Sequence, residues 1–144
     1  MIPSPAMVQS LILCPVDFSA ATVLLVGYAG TLARATGAEL RLLHVCEPAE
    51  LLPGLAGESE ARHLLDDWQH TVRLAGTRRV STAVRAGEAA VDIVAEAAHY
   101  AADVIVLGAH GCTRLSRFLM GSTAEQVLRT APCPTLLMDL PGSS

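Results

Sequence analysis

The chemistry in this chain is concentrated in one stretch, "GAHGCTRLSRFLMGST" (Gly108–Thr123), with Gly108 and Gly111 near its start and Gly121, Ser122 and Thr123 at its end. Glycine is entropically costly in a fold, so a cluster of it calls for a use. The stretch follows the apolar run "DVIVL" and precedes "AEQVLRTA", and so joins a strand to a helix. Ser122 and Glu125 have the spacing of a capping box, which predicts the helix start there. The free amides of such a start, with the positive end of the helix dipole, favour an anion, most naturally phosphate. Gly108 and Gly111 would let the backbone approach that anion, and Ser122 and Thr123 each carry a hydroxyl to donate. His110 is read as a loop histidine beside the anion. Arg114 and Arg117 follow in the same loop, where a guanidinium fork suits phosphate and solvent equally. Taken alone, the glycine spacing also fits a plain turn.

Other reactive residues are sparse. Asp17, in "PVDFS" at the end of an apolar run, is either a turn residue or a carboxylate aimed at a ligand. His44 falls inside a buried strand and reads as core, and His63, His70 and His99 show no metal spacing. The cysteines Cys14, Cys46, Cys112 and Cys133 form no CxxC pair, so reduced thiols are expected rather than a zinc or redox framework. There is no lysine, which excludes a P-loop lysine and Schiff-base chemistry. With a net charge of -4 and no basic cluster beyond Arg78 and Arg79, no nucleic-acid partner is expected. No catalytic residue is assigned, because no nucleophile, metal cluster or carboxylate pair is arranged for turnover; at most slow hydrolysis is expected. Metal ligands are not assignable.

The elements that must position these residues follow from hydrophobic periodicity. "VQSLILCPV" predicts a first strand, followed by a helix capped at Ser19 and stopped by Gly37. "AELRLLHV" is a second strand. In "SEARHLLDDWQHTVRLAG" Ala61, Leu64, Leu65, Trp68, Val72 and Ala75 fall on one helical face, which makes Trp68 a core residue. "RRVSTAVRAG", a helix carrying Ala90, Ile93, Val94, Ala97 and Ala101, "DVIVLG", the helix from Ser122, and "CPTLLMDL" complete the series. Strands alternating with helices imply a mostly parallel, doubly wound α/β sheet. A chain of 144 residues, 51% apolar and 17% charged, suits one domain burying roughly 70% of its unfolded surface. We place that domain at 8–140, with flexible tails at 1–7 and 141–144. No apolar run is long enough to span a bilayer and "MIPSPAMVQS" is unlike a signal peptide, so a cytoplasmic protein without membrane contact is expected.

Gly108-x-x-Gly111, nine residues, then Gly121-Ser122 resembles the nucleotide-binding signature of the universal stress protein family, in its ATP-binding branch. "ILCPVDFS", "LRLLHV", "VRAGEAAVDIVAEAAHYAADVIVLGAHG" and "GSTAEQVLRTAPCPTLLM" are similar to successive segments of the same family. The resemblance implies a five-stranded sheet of order 3-2-1-4-5, Rossmann-like and related to the adenine nucleotide alpha hydrolase fold. It implies that Pro15, Asp17 and Val45 contact adenine and ribose, that Leu107 lines the base pocket, and that Gly108 and Gly111 meet ribose and phosphates. Gly121, Ser122 and Thr123 would hold the triphosphate end. ATP, ADP or AMP, accompanied by Mg2+ or Mn2+, is the implied ligand, and a homodimer through the fifth strand the implied assembly, with a further protein partner unspecified. The implied role is nucleotide-dependent regulation or stress response. An adenylating enzyme would show an SGGxDS loop or an HxGH signature, and neither occurs. A non-nucleotide interaction module of the same fold would lack the glycine signature. The chain departs from the family at Cys112, where a basic residue is common, and at Arg114, where a small one is.

Overall fold

The computed structural model describes residues 10–48, 57–109 and 121–139. Five strands and four helices alternate along the chain: β1 (Leu11–Pro15), α1 (Thr22–Thr36), β2 (Glu39–Cys46), α2 (Gly57–Leu74), β3 (Val80–Ala86), α3 (Ala89–His99), β4 (Val104–Gly108), α4 (Ser122–Thr130) and β5 (Thr135–Met138). The strands form one parallel sheet of order β3-β2-β1-β4-β5. This is the order expected above. The tails at 1–7 and 141–144 lie outside the described residues.

Apolar side chains on both faces of each central strand bind helices to both sides. In β1, Ile12 and Cys14 pack with α1 and α2 residues such as Val26, Ala29 and Leu65, while Leu11 and Leu13 pack with α3 and α4 residues such as Ile93, Ala97 and Val127. β2 and β4 divide likewise, with Leu40, Leu42 and Val106 on the first face and Leu43, Val45, Ile105 and Leu107 on the second. Trp68 rests half-buried against the first cluster, as its place in the α2 stripe predicts. α1 ends as expected: Gly37 adopts the left-handed conformation (φ 73°) and returns its amide to the Ala33 carbonyl.

Two capping expectations are corrected. Ser19 does not cap α1; the cap position is Ala21, and the Ser19 carbonyl accepts from the Thr22 amide in the turn before the helix. Ser122 and Glu125 form no capping box, because Gly121 occupies the cap position and Ser122 is the first helical residue. The pair is therefore one position out of register, and Glu125 pairs with Arg129 one turn on.

The α3 face also holds a buried ionic cluster that links β2, β3 and α3. Arg41 Nε donates to Glu96 Oε2 at 2.7 Å, Arg85 Nη1 donates to Glu96 Oε1 at 2.9 Å, and Arg41 Nη1 donates to Ser81 Oγ at 3.1 Å. The Arg41 guanidinium lies 4.0 Å over the Tyr100 ring. No described helix is long and apolar enough to cross a membrane.

Candidate functional site

In this order, β1 and β4 are neighbours whose following helices leave to opposite faces. That divergence opens a crevice at the carboxyl ends of the strands, where ligands of open α/β sheets bind. The structure has a cavity of about 730 Å³ at that edge. Pro15, Asp17, Val45, Leu107, Gly108, Gly121, Ser122 and Thr123 all line it. Residues separated by most of the chain's length are thus brought to one opening. His110, Gly111 and Arg114, with Cys112 and Arg117, lie outside the described residues.

The corner after β1 is closely held. The Val16 amide donates to the Leu43 carbonyl at 2.8 Å, and His44 Nδ1 lies 2.8 Å from the Val16 carbonyl oxygen. Asp17 Oδ1 accepts from the Ser19 amide at 2.9 Å, a turn that its side chain builds itself. Between them Phe18 sits at φ 59°, a left-handed conformation that is uncommon for a bulky residue. Its ring lies 4.5 Å from the His44 ring.

On the other side, the Ala109 amide donates to the Met138 carbonyl and the Gly121 amide donates to the Ala109 carbonyl, both at 2.8 Å. Ala109 and Gly121, on either side of residues 110–120 in the chain, are thus joined by a hydrogen bond. Gly121 is extended (φ -63°, ψ 153°) and, among the described residues, no side chain caps α4. The first-turn amides beside Ser122 and Thr123 are consequently not covered by a side-chain cap at the cavity wall, next to two hydroxyls and the positive end of the helix dipole. A smaller cleft of about 190 Å³ adjoins here, between Glu47, Glu88 and the starts of α3 and α4.

Part of the wall had no signal in the sequence. Gly57, Glu60, Ala61 and Leu64 from α2, Thr22 and Leu25 from α1, and Phe18 and His44 all face the cavity. Thr22 is buried, and its Oγ1 finds no hydrogen-bond partner in the described structure. His44 is buried as expected of a core histidine, yet it borders the site as well. Its place at the carboxyl end of a strand, next to Val45, was the available clue.

Cys14, directly behind Pro15, is fully buried, and desolvation pushes its thiol up to about 12, so it supplies no thiolate. Among the described residues no group of histidine, cysteine and carboxylate side chains could hold a metal ion. The volume lies within the usual range of small-molecule sites, roughly 300–1,000 Å³.

Comparison with known proteins agrees with this architecture. The model of the Universal stress protein family matches residues 10–138. A universal stress protein of Methanocaldococcus jannaschii is 41% identical over 63 residues, which is 44% of this chain and 37% of that protein. A Staphylococcus aureus relative is 33% identical over 79 residues, 54% of this chain and 48% of that protein. The matched stretch thus spans less than half the length of these curated relatives. Universal stress protein UspA from Lactobacillus plantarum superposes with a TM-score of 0.80 at 27% identity, covering 91% of this chain and 98% of that one. A universal stress protein in complex with cAMP superposes at 0.73 with 22% identity, covering 90% and 96%. One from Archaeoglobus fulgidus in complex with dAMP superposes at 0.68 with 22% identity, covering 92% and 98%.

Proposed function

The chain belongs to the universal stress protein family, and from that premise we propose that it binds an adenine nucleotide in the β1–β4 cavity and acts as a nucleotide-dependent regulatory protein. ATP is the form favoured by its glycine signature. The observation that carries this reading is the convergence of Asp17, Val45, Leu107, Gly108 and Gly121–Thr123 on one cavity, with the uncapped start of α4 at its wall. In this reading the base and ribose lie against Pro15, Asp17, Val45 and Leu107. The phosphates meet Gly108 and the first turn of α4. Relatives of the same fold in complex with cAMP and dAMP support an adenine ligand. A divalent ion would be held by the phosphates themselves and would neutralise them. Turnover is expected to be slow or absent, since the described part of the cavity carries no thiolate and no metal-ligand group.

A homodimer through β5 belongs to the same proposal. β5 ends the sheet, its outer edge has no strand partner among the described residues, and Leu136 on it is 40% exposed. Isothermal titration of the purified protein with ATP, ADP, AMP and cAMP, each with and without Mg2+, tests the ligand. Micromolar binding of at least one supports the reading, and no heat with any of them overturns it.

A further inference from the structure

Asp17, the nucleoside contact of the proposed function, is attached to the sheet through its neighbour. Val16 continues β1 past Pro15, and both its polar backbone groups are engaged by β2: its amide by the Leu43 carbonyl and its carbonyl by His44, each at 2.8 Å. A carbonyl oxygen only accepts, so Nδ1 carries the proton, which sets the tautomer of the ring. That bond fixes the peptide plane joining Val16 to Asp17. The next residue, Phe18, stays in its left-handed conformation with its ring against the same imidazole. A strained residue persists where its surroundings over-determine it.

We propose that His44 is a positioning residue of the nucleotide site: its Nδ1–H holds the Val16 carbonyl, and so presents Asp17 to the nucleoside in one orientation. The inference rests on the reading of the cavity as a nucleotide site, and goes beyond it by giving a buried histidine a part in recognition. His44 lines the cavity, and its positioning role is separate from any contact there. It acts through the backbone, by lowering the cost of ordering the Asp17 corner when ligand arrives.

Two variants separate the hydrogen bond from the ring. His44→Phe keeps an aromatic ring against Phe18 and removes the donor. His44→Asn places an amide N–H near the position of Nδ1 and removes the ring. ATP with Mg2+ should bind His44→Phe about tenfold more weakly than wild type, the scale of one lost hydrogen bond, and His44→Asn should recover most of that loss. Without nucleotide, amide hydrogen exchange at Val16 and Ser19 should be faster in His44→Phe and near wild type in His44→Asn. A folded His44→Phe that binds ATP as tightly as wild type overturns the inference. So does a folded His44→Asn that binds as weakly as His44→Phe. Should wild type bind no nucleotide, the proposed function falls, and the exchange at Val16 and Ser19 still decides whether the imidazole holds the corner. A nitrogen-15 tautomer spectrum of wild type serves if neither variant folds: a protonated Nδ1 is expected, and a bare Nδ1 overturns the inference.

Discussion

β2 crosses two environments that treat polar groups in opposite ways. Midway along it, Arg41 enters a cluster in which Glu96 gives one carboxylate oxygen to each of two arginines and Ser81 donates to Glu39 at 2.7 Å. Farther on, at His44 and Val45, the strand reaches an edge with an uncapped helix, a left-handed phenylalanine and a buried Thr22 hydroxyl that finds no partner among the described residues. The first region pairs Arg41 and Arg85 with Glu96 and so fastens three elements together. The second sets the start of α4, without a side-chain cap among the described residues, at a cavity wall and buries a threonine hydroxyl without a described partner.

The sharpest way to break the contrast is Gly121→Asp. The φ of -63° suits any residue, and aspartate is a good N-cap, so the fold should be kept or gain up to about 1 kcal/mol. A carboxylate there repels phosphate and covers the amides. Losing two charge-assisted hydrogen bonds at about 2 kcal/mol each should weaken ATP roughly a thousandfold in titration calorimetry. Unaltered affinity would make Gly121 only a helix start.

Next in size, Glu96→Ala acts on the other region. Side chains of Arg41 and Glu96 are only 13% and 4% exposed, so removing the carboxylate strands buried positive charge. The expected loss is about 3 kcal/mol, seen as a melting temperature lowered by roughly 10 °C. Nucleotide affinity of the folded fraction should hardly change. A large affinity loss with a normal melt would show the two regions to be coupled.

Alkaline pH probes the floor between them. Burial raises the Cys14 thiol from 9.0 to about 12. The folded protein therefore keeps a proton that the unfolded chain releases, and stability falls as pH rises from about 9 towards 12. At pH 10.5 the loss from this group is about 2 kcal/mol. Since the chain has no lysine, few other side chains titrate there. Denaturant titrations at pH 8 and 10.5 should show a smaller alkaline loss in Cys14→Ala than in wild type; equal losses would contradict the assignment.

The smallest effect is a reversal of rank at Phe18. Both Phe18→Ala and Phe18→Gly lose the ring contact with His44, but only glycine escapes the left-handed penalty. Glycine should be the more stable of the two by about 1 kcal/mol, against its usual order. Alanine melting higher would show that the corner relaxes once the ring is gone.

Periodicity in the sequence carried the nine elements, because each apolar run has the repeat of the structure it forms. The strand order came from the family resemblance. The glycines and hydroxyls of Gly108–Thr123 suggest an anion site from sequence, since that chemistry is local, and the described ones among them line the cavity. The cap was placed one residue late, at Ser122, because Gly121 and Ser122 are both good caps. Pairings such as His44 with Val16 and Arg41 with Glu96 join residues far apart in the chain, and nothing in either segment names its partner. An aromatic such as Phe18 gives no hint of a positive φ. The wall from α2 depends on how a helix docks, which no residue type encodes.

The central claim is that the described residues of the signature form one nucleotide site. Its most direct test is nitrogen-15 chemical-shift mapping of the protein titrated with ATP and Mg2+. The largest changes are expected at the amides of Asp17, Val45, Gly108 and Gly121–Thr123, with the Arg41–Glu96 cluster silent. Changes centred elsewhere, or none at saturating ATP, would contradict it.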